Sequence, residues 1–162
     1  MATLSSSVQY AVHVASGATV ANKWAKLSCQ RFLDDLDSGK WIFNEEKATK
    51  ILEFFPDFIR HVKGKLAGEP YHLSDWEGFI LINLFGWVNS DGNRRFRTAY
   101  SEVARKKSKS TFCSGVALYL TAFDGEGGAE VYSCATTREQ ARIVFGDAQT
   151  MIRKSPPLKR VC

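Results

Sequence analysis

No two of the four cysteines form a C-x-x-C pair: Cys29, Cys113, Cys134 and Cys162 lie far apart in the chain. That spacing excludes a zinc-finger ligand set and a disulfide framework, and reads as the scattered reduced thiols of a cytosolic protein. Histidine is equally sparse. His13 has no metal-ligating neighbour in sequence, and His61 has only Asp57 four residues before it, with no third ligand. No Ser/His/Asp, Cys/His or paired-carboxylate constellation can be assembled from these residues, which removes the common hydrolytic centres. The opening MATLSSSVQYAVHV lacks the charged start and apolar core of a signal peptide. No apolar run approaches the roughly 20 residues of a membrane span. These absences together predict a soluble chain in the cytoplasm, without a membrane.

What is present is an ordinary globular composition in 162 residues, enough for one domain with a core or a small domain with an appendage. The net charge is +5, and the most concentrated run of cations is Arg94, Arg95, Arg97, Arg105, Lys106, Lys107 and Lys109. Such a run favours a polyanion as partner, either a nucleotide or a nucleic acid.

Helical periodicity dominates the first part of the chain. Val8–Ala15 suits one or two turns before Gly17. From Ala18 to about Leu36, Val20, Trp24, Leu27, Phe32 and Leu36 recur at spacings near three and four, which predicts a helix with these residues inward. A second helix starts at Asn44, a cap candidate, with Glu45 and Glu46 suited to the positive end of the helix dipole. Ile51, Leu52, Phe54, Phe55, Phe58, Ile59 and Val62 form its apolar face, and Pro56 predicts a kink or break. Lys63–Tyr71 is a Gly- and Pro-containing connector. Ser74 with Glu77 three residues on is a capping box, opening a helix through Phe79, Ile80, Ile82, Leu84 and Phe85. Ser90–Asn93 is a turn, and Arg94–Tyr100 alternates like a strand.

The stretch FRTAYSEVARKKSKSTFCSG (96–115) organises the second half. A strand-like run through Thr98–Val103 meets a basic loop, and Ser110–Leu120 reads as a helix. Strand, polar loop ending in Lys-Ser, then helix is the layout of a P-loop. In that device backbone N–H groups and a helix N-terminus hold phosphates, a lysine reaches the β/γ-phosphates, and a hydroxyl takes Mg²⁺. The full pattern G-x-x-x-x-G-K-[ST] has its Lys and Ser at Lys109 and Ser110, but Val103 and Ser108 stand where its glycines belong. On local sequence alone, a basic solvated turn is the competing reading. Asp124–Gly128 is a second tight turn, Glu130–Thr136 a strand, and Thr137–Ile152 an amphipathic helix with Ala141, Val144, Phe145, Ala148 and Ile152 inward. Strand–helix–strand implies a parallel pair, so the expected fold class is α/β: an N-terminal helical region, then the start of a P-loop NTPase parallel sheet. Two strands cannot cover such a sheet, so the domain is expected to be incomplete and the chain truncated.

At this point a resemblance enters. LSDWE (73–77), LFGW (84–87), DGNRRFR (91–97), RKKSKS (105–110), GVALYL (115–120) and EVYSCATTREQARIVF (130–145) occur in that order. Together they resemble the N-terminal portion of the large terminase subunit of tailed bacteriophages, the ATP-driven motor that packages DNA into capsids. The resemblance implies residues 1–65 as a helical N-terminal region and 66–162 as a partial P-loop ATPase domain. It implies ATP and Mg²⁺ as cofactors, with Lys106, Lys107, Ser108, Lys109, Ser110 and Thr111 in the nucleotide loop and Ser110 as the Mg²⁺ hydroxyl. Arg105 matches an arginine that stabilises charge on the γ-phosphate, a catalytic role. Thr136, Thr137, Arg138 and Gln140 match a segment near the nucleotide-facing edge, and Glu77 stands at the adenine position, where the family has glutamine.

Implied partners are double-stranded DNA, the small terminase subunit, the portal protein and a missing C-terminal terminase part, in the cytoplasm of a bacterial host. Ser108 replaces the family's glycine, and at positive φ that costs on the order of 1–2 kcal/mol. An ionised Glu77 accepts hydrogen bonds but cannot donate one to adenine. No hydrophobic run ending in paired acids, the Walker B element, follows Lys109 at a suitable distance, so little ATP hydrolysis is expected of the chain alone. The alternative is a non-catalytic module that binds DNA or a partner through the basic Arg94–Lys109 surface.

Overall fold

The computed structural model describes residues 2–162. They form six α-helices, a two-stranded antiparallel pair and a short 3₁₀ turn. By internal packing the chain divides into two compact units: residues up to Glu53 with His72–Tyr100, and Phe54–Tyr71 with Ser101–Cys162.

The first unit begins with α1 (Leu4–Ser16), longer than the one or two turns its apolar run suggests. Thr3 Oγ1 accepts from the Ser6 amide at 3.1 Å, and Ser6 Oγ accepts from the Thr3 amide at 3.0 Å. This reciprocal pair satisfies two donors that a helix start leaves open. Next is α2 (Lys23–Ser38), started by Asn22, whose Oδ1 accepts from the Ala25 amide at 2.9 Å, and closed by Gly39. Asn44 caps α3 (Glu45–Phe58) as its sequence position suggests, accepting from the Lys47 amide at 2.8 Å. Pro56 does not break that helix. It lies inside the last turn, and the helix ends at Phe58, where Arg60 Nη1 donates to Pro56 O at 2.8 Å. The division between the two units falls within α3, after Glu53.

Phe32 of α2 centres the first core. Its ring lies edge-on, 5.6 Å between centroids, to each of Phe43, Phe79 and Trp87. These rings join α2 to α4 (Asp75–Gly86) and to the strands β1 (Ile42–Phe43) and β2 (Trp87–Val88). The strands pair antiparallel, Ile42 with Val88 and Phe43 with Trp87. At the edge of this cluster Arg95 lies 4.0 Å over the Trp41 ring and makes a 2.7 Å ion pair with Asp35. Both charged side chains are about 15% exposed.

The inward face expected for α2 is corrected. Cys29 and Phe32 are fully buried, whereas Trp24 is 74% exposed, Leu27 is 50% exposed, and Val20 and Leu36 also face solvent. Periodicity locates a stripe of apolar residues but does not say which side meets the neighbouring helices. Burial of Cys29 pushes its thiol pKa up to about 11, which leaves it an inert packing residue.

In the second unit Phe54 packs with Phe58, Tyr119 and Phe123, and Phe55 stacks on Phe112. Here α5 (Lys109–Ala122) rests beside α6 (Arg138–Lys154). Ser155, the residue that ends α6, and Leu158 of the 3₁₀ turn (Leu158–Arg160) are both buried. On α6 the buried residues are Asp147 and Met151. Phe145, expected inward, is 60% exposed.

The expected α/β class is overturned. Among the described residues no parallel sheet exists, and neither Thr98–Val103 nor Glu130–Thr136 is a strand. Arg94–Tyr100 keeps a single isolated bridge, Arg94 to Val88. Alternation makes these segments compatible with a pleat, but a strand exists only when a neighbour takes its backbone groups. None does so for Thr98–Val103 or Glu130–Thr136, and Tyr100 at 88% and Tyr132 at 76% exposure face solvent. The architecture is helical.

Removing one partner of the Arg95–Asp35 pair strands a mostly buried charge, which costs about 3 kcal/mol or more. Arg95→Ala is expected to destabilise the chain by about that amount in urea denaturation, and the double variant Arg95→Ala/Asp35→Ala by clearly less than the sum of the singles.

Candidate functional site

The loop that precedes α5 carries the only two non-glycine residues with positive φ among those described, Lys106 (64°) and Ser108 (53°). Ser108, in the left-handed region at ψ 12°, is the residue directly before the helix. The first intrahelical bond runs from the Phe112 amide to Ser108 O at 2.9 Å. The amides of Lys109, Ser110 and Thr111 therefore precede the first donor of the helical ladder and point outward from the positive end of a 14-residue helix. A left-handed residue immediately ahead of helical ones turns successive N–H groups toward one concavity, a geometry suited to an anion.

Side-chain charge reinforces the backbone. Arg105, Lys106, Lys107 and Lys109 are all exposed, and none makes an ion pair with another described residue. Cations at a helix N-terminus oppose the dipole. With no acid in the first turn of α5, this end is built against its own electrostatics unless an anion sits there. The whole excess charge resides in this unit: it has thirteen Lys/Arg against eight Asp/Glu, whereas the other unit has nine of each.

The helix behind the loop is held closely. Gly115 is buried, and a Cβ there would lie 2.6 Å from Phe55 Cε1, so only glycine allows α5 to approach that ring. One position earlier Ser114 is fully buried. Its hydroxyl lies 2.8 Å from Ser110 O and 2.9 Å from Val144 O, its proton shared between α5's own first turn and α6. Sequence reading passed over both residues. The signal was the small pair Ser114–Gly115 in an otherwise bulky apolar helix, which marks a close approach.

The structure brings Arg105 to Thr111 together as one loop and helix start, with Ser110 and Thr111 half-buried. Glu77 belongs to the other unit. It is 4% exposed, and its Oε2 accepts from the Ser74 amide at 2.9 Å and from Ser74 Oγ at 2.6 Å, so it caps α4. Thr137 caps α6, accepting from the Gln140 amide at 3.3 Å, and Thr136 Oγ1 donates to Gln140 Oε1 at 2.8 Å. Arg95, part of the basic run, is committed to Asp35. For a nucleotide's phosphates the residues present fit: outward amides, a hydroxyl and four cations. For Mg²⁺ they supply only hydroxyls, those of Ser108, Ser110 and Thr111, and no carboxylate. No cluster of three or more His, Cys, Asp or Glu side chains suited to a metal occurs among the described residues. No helix among them is long and apolar enough to cross a membrane.

Comparison with known proteins places these features in context. The family described as "Terminase large subunit, ATPase domain" matches residues 75–162. The chain is 26% identical over 116 residues to "Terminase, large subunit" of Enterobacteria phage HK97, an alignment covering 71% of this chain and 22% of that relative. No solved structure matches.

A left-handed serine is strained and a left-handed glycine is not. Ser108→Gly is expected to raise the chain's stability by up to about 1 kcal/mol without ligand, read as a shift in the urea midpoint at constant slope.

Proposed function

This chain belongs to the terminase large subunit family through its ATPase domain, and we propose that Arg105–Thr111 is its ATP phosphate loop. The observation that carries the reading is the left-handed Ser108 immediately before Lys109 at the N-terminus of α5, amid four cations without ion-pair partners. In this reading Lys109 neutralises the β/γ-phosphates, while the amides from Lys109 to Thr111 donate to their oxygens. Ser110 would offer its hydroxyl to Mg²⁺, which would otherwise be held by the nucleotide's phosphates and by water. Lys106 and Lys107 add unspecific attraction, and Arg105 is the group that meets charge developing on the γ-phosphate. The functional division follows the same reading, with 1–65 a helical region and 66–162 a partial ATPase domain.

Hydrolysis by this chain alone is expected to be weak. The loop clamps phosphate, but activating water needs a carboxylate positioned beside it, and no run ending in paired acids follows Lys109 at a suitable distance. A role in the viral DNA-packaging motor in a bacterial host's cytoplasm belongs to the same proposal. So do double-stranded DNA, the small terminase subunit, the portal protein and a further C-terminal terminase part as partners. The chain spans 22% of the HK97 relative's length, so activities of a whole large subunit are expected only with that further part.

A second reading has its own support. The second unit's net charge of +5 suits a DNA backbone whether or not nucleotide binds. Arg95 takes no part in such a surface, because it is paired with Asp35.

Calorimetry with Mg-ATP tests the first reading. Binding is expected for the native chain, loss of it for Lys109→Ala, and about tenfold tighter binding for Ser108→Gly, because removing the Cβ lets the loop backbone come closer to the phosphate. No binding by any of the three would overturn the phosphate-loop assignment.

Fluorescence anisotropy with duplex DNA tests the second. The logarithmic salt slope is expected to fall by about 0.9 for each of Arg105, Lys106 and Lys107 replaced by alanine. An unchanged slope would remove this surface from DNA contact.

A further inference from the structure

One cleft of the first unit takes no part in the readings above. It lies where α2 and α4 meet the segment 96–100, and every residue that lines it belongs to that unit. It holds about 200 Å³. Pockets for drug-sized ligands run to roughly 300–1,000 Å³, so this one suits a single ring system. Phe79 and Asn83 are its buried residues, at 6% and 7% exposure. Phe96 is half-buried beside them, and Tyr100, also part of the lining, is 88% exposed.

Asn83 carries an unmet bond in this cleft. Its Nδ2 donates to Phe79 O at 3.0 Å, which fixes the amide orientation, because a flipped amide would set two oxygens against each other. Its Oδ1 is buried and accepts no hydrogen bond from any described residue. A buried acceptor left unpaired is costly, and folded chains seldom keep one without a use. Ser7 Oγ and Trp87 Nε1 share that condition, but neither residue lines the cleft. Arg31 is the one charged residue of the lining. Its guanidinium lies 4.9 Å over the Phe96 ring and makes no ion pair with a described residue.

We propose that this cleft takes one unpaired base of a single nucleic-acid strand. An N–H on the base's hydrogen-bonding edge donates to Asn83 Oδ1, Tyr100 supplies a stacking surface, and Arg31 meets the phosphate beside the base. Phe96 serves instead as the support of the cations, since both Arg31 and Arg95 lie over its ring. The chemistry selects among occupants. A purely apolar ligand would leave Oδ1 unpaired, and a neutral donor such as an indole side chain would give Arg31 no anion. A base with its phosphate supplies both. A strand is favoured over a free nucleotide because Arg97, exposed and without an ion-pair partner among the described residues, directly follows Phe96 and offers a second cation to a neighbouring phosphate.

The test is fluorescence anisotropy of the full 162-residue chain with a labelled DNA single strand of about eight nucleotides, beside the same strand built of abasic sites. Both strands carry the same phosphates, so attraction to the second unit's cations cancels between them. The intact strand is expected to bind at least about tenfold more tightly. Tyr100→Ala is expected to remove most of that ratio and to leave the thermal midpoint unchanged, because the ring is exposed. Asn83→Leu is expected to weaken the intact strand about fivefold while raising the thermal midpoint, since an apolar side chain of similar size removes the unpaired acceptor. A residue that only packs would not lower binding while raising stability. Equal binding of the two strands would overturn the proposal, as would a ratio that survives both substitutions. Displacement of the strand by dAMP at equal nucleotide concentration would give the cleft to a free nucleotide and overturn the strand assignment. None of these residues lies in the phosphate loop. Lys109→Ala, expected to abolish Mg-ATP binding, is expected to keep the ratio, and its loss there would move the base contact to that loop and overturn this one.

Discussion

The close approach of α5 to Phe55 is the contact on which the loop from Arg105 to Thr111 depends. Gly115 lets the helix backbone lie against that ring, and Ser114 fixes its rotation by reaching both Ser110 O and Val144 O. A helix held so tightly presents its N-terminus in one orientation, and the residues from Arg105 to Ser110 inherit it. Phe112, stacked on Phe55, lies one turn inside the same helix. The loop is exposed, yet its end is anchored in the buried core of the second unit. Exposed anion loops need this arrangement, because outward amides bind an anion well only when they need not be ordered on binding.

Electrostatics and backbone conformation point the same way from independent origins. The positive φ of Ser108 is a steric matter, decided by how the chain must turn to enter α5. The cations beside it are a matter of composition, and they oppose the helix dipole. Each feature is unfavourable to the free chain, the first through backbone strain and the second through repulsion. Strain and like-charge crowding that coincide within five residues are characteristic of a place kept for a ligand.

The first unit is organised differently. Its charges balance, and its most committed cation, Arg95, serves packing by covering Trp41 and pairing with Asp35. The run from Arg94 to Lys109 reads as one basic surface in the sequence, but it divides between two units at Tyr100 and Ser101. Arginine near aromatic residues is as much a packing group as a binding group. Only the positions of Asp35 and Trp41, far away in sequence, decide which role it takes.

By itself the sequence determined what local chemistry controls. Asn44, Ser74 with Glu77, and Thr137 are legible as helix starts because a side-chain oxygen three residues from a free amide is a short-range device. The ends at Gly17 and Gly39 follow from the left-handed turn that glycine accepts easily. The six ordered segments likewise placed the chain in its family. What the tertiary structure alone decided is everything that needs a distant partner. Trp24 and Phe145 belong to good helical stripes and still face water, because the neighbouring helices cover Cys29 and Phe32 in one case and Asp147 and Met151 in the other. Glu130–Thr136 alternates well and remains unpaired, since a strand is a property of two chain segments and not of one. Ser108 shows both sides at once. Its place in the motif is written in the sequence, but the left-handed turn that makes serine costly there is set by the path of the backbone into a helix that Phe55 and α6 hold in place.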